Sequence, residues 1–293
     1  MPALPLSRRH VLAAAALAGA SGLWDVPRAR AETLAPRLAE IEARTGGRLG
    51  VAIHDTGSGR RWNHRADERF PLMSTFKAFA CAAVLAKVDR GEARLDDPVP
   101  VAPADILPHS PVTGAHAGGE MSLGDLCAAA TAVSDNTAAN LILPRIGGPE
   151  GLTRFMRAMG DATTRLDRWE TALNAGTPGD MRDTTTPAAA ARSLEALLLA
   201  DVLSPASRGQ LTAWLEADAV AGALLRAGLP AGWRVADRTG AGGHGSRGII
   251  ALIWPPGRPP VVAAVYLTQT GLSLEARDAV MAEIGRALGE ALR

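Results

Sequence analysis

Lysine is nearly absent from this chain: of 31 lysine and arginine residues, only Lys77 and Lys87 are lysine. Where arginine serves for almost every cation, a retained lysine points to a task beyond charge. Lysine can release and recover a proton, whereas arginine stays protonated in proteins. Net charge is also scarce, at +1 over 293 residues, so no whole-chain field exists to hold a polyanion, and nucleic-acid binding is disfavoured. Two cysteines are too few for a disulfide-dense scaffold. The six histidines show neither H-x-H nor H-E-x-x-H spacing, which argues against a zinc hydrolase. No G-x-S-x-G elbow occurs, which argues against an α/β-hydrolase esterase. Long apolar runs are missing too. The longest near the start, Val11 to Ala20, follows Arg8-Arg9 and precedes Ala29-Arg30-Ala31. It is too short to span a bilayer, which takes about 20 residues. Residues 1–31 therefore read as a twin-arginine export signal with a small-residue cleavage site. The expected mature product is periplasmic or secreted, with no membrane association after cleavage. In that compartment an even cysteine pair, Cys81 and Cys127, favours a disulfide, with two buried free thiols as the alternative.

What is present is ordered simply. Leu34, Leu38 and Ile41 recur at helical spacing, so a helix is predicted from Thr33 to about Arg44. "LGVAIHD" and "RRWNH" flank Thr56-Gly57-Ser58-Gly59, a hairpin signal. Late in the chain "WRVADR", "RGIIALIW" and "VVAAVYLTQ" read as three strands, and Val280, Ile284, Leu288 and Leu292 as a closing helix. The stretch between is rich in Ala and Leu and broken by Gly, Pro and Asp. The economical architecture is α/β in layers: residues 32–65 and 217–293 form one sheet-and-helix domain, and residues 66–216 an inserted helical domain. A cleft between two such domains is a common ligand site.

Three short motifs carry chemistry. In "MSTFK", Ser74 and Lys77 are three apart, so in a helix their hydroxyl and amine share a face. A serine becomes a strong nucleophile only when a neighbouring base takes its proton. In "AVSDNTAAN", Ser134, Asp135 and Asn136 occupy a polar break; read alone, this is a turn capping the next helix. In "VADRTGAGG", Arg238, Thr239 and Gly240 end a predicted strand, where a cation and a hydroxyl could hold a carboxylate.

Together these motifs resemble the three signatures of the penicillin-recognising serine enzymes, and specifically class A β-lactamases, whose usual third element is K-T-G. "TRLDRWETALN" with "MRDTTTP" extends the resemblance to that family's Ω-loop. The resemblance implies a five-stranded antiparallel sheet flanked by helices, a small-molecule β-lactam as substrate, no metal or cofactor, and a monomer. It implies that Ser74 forms an acyl-enzyme and that the NH groups of Ser74 and Ala241 make the oxyanion hole. Ser134 would relay a proton to the leaving nitrogen. Glu170, with Asn174, would activate the deacylating water. Asn136 would hold the substrate's acylamide group, and Arg238, Thr239, Gly240 and Arg247 would line the carboxylate end. The family's acylation base is assigned either to Lys77 or to Glu170, and the sequence leaves both open. Arg168 and Asp183 match the pair that closes the Ω-loop, and His109 a gate position that is often aromatic. Cys81 and Cys127 match a disulfide found in part of the family. Arginine at 238 resembles the carbenicillin-hydrolysing subgroup, with general lysine-to-arginine drift as the competing account. Transpeptidases and penicillin-sensing receptor domains share the first three signatures but lack the deacylating glutamate.

Lysine at 77 is expected to be irreplaceable by the chain's usual cation. Lys77→Arg should retain fold and charge yet lose most of the burst of Ser74 acylation in rapid-mixing experiments; a near-normal burst would contradict the assignment.

Overall fold

The computed structural model describes residues 34–293, so the export-signal reading of residues 1–31 lies outside the described residues. Helix α1 (Leu34–Thr45) leads into β1 (Arg48–Asp55) and β2 (Arg61–His64). Asp55 fixes the hairpin between them by accepting from Gly57 N at 3.1 Å and Ser58 Oγ at 2.7 Å, an Asx turn of the kind the Thr-Gly-Ser-Gly stretch predicts.

The chain then leaves the sheet. It passes through a two-residue strand, β3 (Phe70–Pro71), a 3-10 turn over Met73–Thr75, and helix α2 (Phe76–Asp89). Strands β4 (Pro98–Pro100) and β5 (Glu120–Ser122) pair with each other and are followed by helices α3 (Leu123–Ala132), α4 (Asn136–Ile142) and α5 (Gly148–Ala158). After a long irregular loop, β6 (Thr184–Thr185) pairs back onto β3. Helices α6 (Pro187–Leu199), α7 (Pro205–Glu216) and α8 (Leu225–Gly228) follow. The chain then returns as β7 (Arg234–Gly242), β8 (Ser246–Trp254) and β9 (Val261–Thr268) and ends in α9 (Leu274–Ala291).

The five main strands form one antiparallel sheet in the order β2-β1-β9-β8-β7, as expected. Every residue of β9 is buried, because both faces of the sheet are covered. One face packs Val51, Ile249 and Val265 against Leu38 of α1 and Ile284 and Leu288 of α9. The other packs Ala52, Ile250 and Tyr266 into the same core as α2 and α6. The helical segment is thus joined to the sheet through a shared apolar interior.

Helix α2 is the centre of that interior. Eleven of its 14 residues, Phe76 through Ala86, are buried, so it has no polar face and its apolar pattern carries no period. Truncating one of its large side chains, such as Phe79, removes about 3–5 kcal/mol of packing.

The expected disulfide is not formed. Cys81 on α2 and Cys127 on α3 are both buried free thiols, and the Cys81 thiol is directed at the Cys127 carbonyl oxygen, 3.7 Å away. Burial holds the Cys127 thiol well above its ordinary pKa. The thiolate that sulfur exchange requires is therefore suppressed there. Among the described residues no helix is long and apolar enough to cross a membrane.

Candidate active site

The turn that carries Ser74 is shaped by what faces it. Met73 has φ +50°, in the left-handed region, and the turn lies hard against β7. A Cβ on Gly240 would sit 2.7 Å from Met73 Cβ and 2.8 Å from Ser74 N. Any side chain at 240 would push the strand off Ser74, which accounts for the glycine in R-T-G. Thr75 pins the turn from below, donating to Leu72 O at 2.5 Å and meeting the Tyr266 hydroxyl at 3.1 Å.

Lys77 lies one helical turn beyond Ser74, and its side chain is wholly buried, as is that of Glu170. Its Nζ lies 2.8 Å from Ser134 O, 3.2 Å from Ser134 Oγ, 2.7 Å from Asn136 Oδ1 and 3.1 Å from Glu170 Oε1. Four acceptors around one nitrogen match an ammonium, which has three protons to donate and nothing to accept with. Burial pulls the Lys77 pKa down to about 8, with Glu170 opposing the shift and Arg238 adding to it. The group is therefore still mostly charged at neutral pH. Ser74 Oγ donates to Glu170 Oε1 at 3.4 Å, and Glu170 Oε2 accepts from Asn174 Nδ2 at 2.5 Å. Five of the expected residues, Ser74, Lys77, Ser134, Asn136 and Glu170, thus converge on one buried carboxylate–ammonium pair.

Each segment is held for this purpose. Ser134 has φ +60°. Asp135 keeps it there by capping α4 through Ala138 N at 2.9 Å and by accepting from Val112 N, Thr113 N and Thr113 Oγ1 at 2.7–3.0 Å. Asn136 also donates through Nδ2 to Pro108 O at 2.9 Å, and its backbone N donates to His109 O. The His109 ring is exposed and sits 3.0 Å from Val133 O. The loop carrying Glu170 is closed by Arg168 Nε against Asp183 Oδ2 at 2.5 Å, while Asp183 Oδ1 accepts from the backbone N of Asp167 and Arg168.

One residue escaped the sequence analysis. Asn140 holds both backbone atoms of Glu170: its Nδ2 donates to Glu170 O and its Oδ1 accepts from Glu170 N, each at 2.9 Å. The signal was the second asparagine of "SDNTAAN", one helical turn after Asn136, but an asparagine in a helix ordinarily reads as a solvated position.

The third motif sits deeper than its sequence suggests. Arg238 is fully buried. Its Nη1 meets Asp218 Oδ2 at 2.8 Å and Thr131 O at 3.0 Å, and its Nε donates to Ser74 O at 3.3 Å. Only Nη2 lacks a partner, and that atom is itself buried. Beside it, Arg226 grips Asp237 at 2.7 and 2.9 Å; burial nonetheless raises the Asp237 carboxyl to about 7, against the pull of Arg226. Arg247, nearly buried, donates to Asp278 Oδ1 at 2.6 Å and Gly240 O at 3.2 Å. Thr239 is buried within β7, and Ala241 is exposed at its end. Asn174 also ties the loop to this strand, since its carbonyl accepts from Gly243 N at 2.8 Å.

Asn140→Ala should detach the Glu170 backbone at a cost of about 1–3 kcal/mol for each of the two polar groups left unpaired. The expected readout is faster amide exchange across residues 168–183 with α2 unchanged. Exchange at the native rate in the loop would show that Arg168 and Asp183 suffice.

Comparison with known proteins agrees with this geometry. The family model described as "Beta-lactamase enzyme family" matches residues 33–292. The chain is 51% identical over 239 residues to β-lactamase AER-1 of Aeromonas hydrophila, covering 81% of this chain and 79% of that protein. It is 46% identical over 304 residues to β-lactamase AST-1 of Nocardia asteroides, covering 100% and 98%. Among solved structures, an ancestral class A β-lactamase superimposes with a TM-score of 0.87 at 58% identity, covering 88% of this chain and 99% of the other. The chromosome-encoded β-lactamase of Vibrio parahaemolyticus gives 0.85 at 46%, covering 87% and 97%. With a buried Ser-Lys-Glu cluster at the sheet edge and matches of this extent, the chain belongs to the class A β-lactamases, serine hydrolases that act on β-lactams.

Proposed function

We propose that the chain hydrolyses penicillins through an acyl-enzyme on Ser74, with Glu170 as proton acceptor in both half-reactions and Lys77, an ammonium in the resting site, as the group that relays a proton to Ser134. The supporting observation is the buried contact set: Ser74 Oγ donates to Glu170, while Lys77 spends its donors on Ser134, Asn136 and Glu170. Glu170 takes the Ser74 proton as Oγ attacks the lactam carbonyl. The NH groups of Ser74 and Ala241 receive the oxyanion, an arrangement in which losing one donor typically costs about 100-fold or more in rate. Ser134, hydrogen-bonded to Lys77, passes its proton to the leaving nitrogen and regains one from Lys77 Nζ, which the protonated Glu170 replenishes, so the carboxylate is restored for deacylation. For deacylation, Asn174 Oδ1 is a buried acceptor without a partner beside the Glu170 carboxylate. A water donating to both is placed for deprotonation. Asn136 takes the acylamide group. Arg247 with Thr239 takes the substrate carboxylate, next to Gly240, with the buried charge of Arg238 behind them.

Arginine at 238 carries the resemblance to the carbenicillin-hydrolysing subgroup, with general lysine-to-arginine drift as the competing account; its guanidinium is fully buried, so it would act on an additional carboxylate through its charge and not by contact. In the same reading the protein is exported, periplasmic or secreted, and monomeric. A transpeptidase or penicillin sensor is disfavoured because the Glu170 carboxylate is already 3.4 Å from the nucleophile.

Sustained nitrocefin turnover by purified protein is the primary test; stoichiometric acylation without turnover would favour the transpeptidase or sensor. Glu170→Ala should slow both half-reactions, lowering turnover about 100-fold or more, and the adduct that forms on Ser74 under prolonged exposure should persist, seen as a mass increase on intact protein. Clearance at the native rate would remove Glu170 from its role. The pH profile separates the two candidate bases. Lys77 carries its proton below about 8, so if the ammonium is the working form, kcat/KM for benzylpenicillin should hold below that pH and fall as pH rises through it. A kcat/KM that rises through the same range would make the free amine the base.

A further inference from the structure

A second cavity lies behind the Ω-loop, away from Ser74 and Glu170, neither of which lines it. Its volume is about 290 Å³, and it is bounded by the start of β1, the end of β9, the β3–β6 pair and the loop from Arg168 to Arg182. Four arginines line it, Arg48, Arg69, Arg168 and Arg182, against two carboxylates, Glu68 and Asp180. Three of the arginines are accounted for. Arg48 meets Glu68 at 2.6 Å, Arg182 meets Asp180 at 2.9 Å, and Arg168 is shared between Asp183 and Asp180.

Arg69 is not. Its Nη1 donates to Thr163 O at 3.0 Å and Thr184 Oγ1 at 2.9 Å, both neutral acceptors. Among the described residues no carboxylate reaches it within ion-pair distance. Its surroundings are hostile to its charge: desolvation first, then Arg165 and Arg157, hold its pKa below the ordinary arginine range, with Asp161 and Asp167 opposing them only in part. A guanidinium in a cavity, with one edge fixed by neutral acceptors and its charge uncompensated, is the arrangement that accepts an anion by a planar fork.

We infer that this cavity is a binding site for a small doubly charged oxyanion, phosphate-like or dicarboxylate, held by Arg69 with Arg48 and Arg182 at its rim. Thr177 also lines the cavity and supplies a hydroxyl of the right chemistry, whereas the Thr184 hydroxyl already donates to Met181 O at 2.7 Å. An occupant would touch the loop at Leu173 and Gly176, on either side of Asn174, the residue that holds the Glu170 carboxylate. The site is thus distinct from the substrate cleft yet one residue removed from the deacylation machinery.

The test is calorimetric titration of the purified protein with inorganic phosphate, and separately with malonate, at ionic strength held constant with potassium chloride. One site per chain is expected. Arg69→Gln should weaken binding at least tenfold, whereas Arg247→Gln, in the substrate cleft, should change it less than twofold. Because Arg69 also braces Thr163 and Thr184, Arg182→Gln, at an exposed side chain, provides a second variant, expected to weaken binding about threefold or more with an unchanged thermal midpoint. The relative heats of phosphate and malonate assign the site to phosphoryl or dicarboxylate ligands. No saturable heat with either anion, or binding that Arg247→Gln abolishes and Arg69→Gln leaves intact, would overturn the inference.

Discussion

A buried ammonium is expensive to keep charged: removing it from water costs several kcal/mol unless partners replace the lost hydration. At Lys77 those partners come from two other stretches of chain, the polar break at Ser134–Asn136 and the Ω-loop at Glu170. The charge therefore acts as a registration point. If the break shifts or the loop lifts, the ammonium is stranded, and the same displacement removes either the Ser134 hydroxyl or the carboxylate from Ser74. Much of the surrounding structure serves to prevent such shifts. Asp135 fixes the break through four contacts, Asn140 fixes the Glu170 backbone, and Arg168 with Asp183 closes the loop.

A second layer of charge lies beneath β7. Arg238 and Asp218 are both fully buried and paired, and Arg226 and Asp237 form a neighbouring pair. Arg238 is a like charge for Lys77 and helps lower its pKa, while Asp218 compensates Arg238. The cation of R-T-G thus does two things at once: it braces the carbonyl of Ser74 and it biases the protonation of the lysine. A lysine at 238 would supply the charge without a planar fork able to reach Asp218, Thr131 and Ser74 together.

The sequence was legible where local chemistry and burial agree. The first helix, the hairpin, the three late strands and the closing helix were marked by periodicity and by glycine or proline turns, and their observed bounds differ from expectation by a few residues. The convergence of Ser74, Lys77, Ser134 and Glu170 was legible only through motif resemblance, because no local pattern states that positions about 60 and 96 residues apart will meet. The helical segment was legible as texture but not as elements. α2 is buried on all sides and has no period, and the short β3–β6 and β4–β5 pairs are stabilised by tertiary context rather than by strand-like runs. The depth of Arg238 was hidden because its partner, Asp218, sits 20 residues earlier in an unremarkable loop. The thiols of Cys81 and Cys127 illustrate a different limit: an even count favours a bridge only on the expectation of export, and the folded core holds both as buried free thiols.

The strand order has a kinetic consequence. β1 pairs along its whole length with β9, from Arg48 opposite Thr268 to Asp55 opposite Val261, so the middle of the sheet joins stretches separated by some 200 residues. Contacts of such sequence separation form slowly, because closing the intervening chain is entropically costly before any pairing rewards it. The Ser74 turn rests on β7, which reaches β1 only through β8 and β9. The Ser74 turn therefore cannot reach its final surroundings until the strand some 160 residues further along, β7, has been made and laid against it.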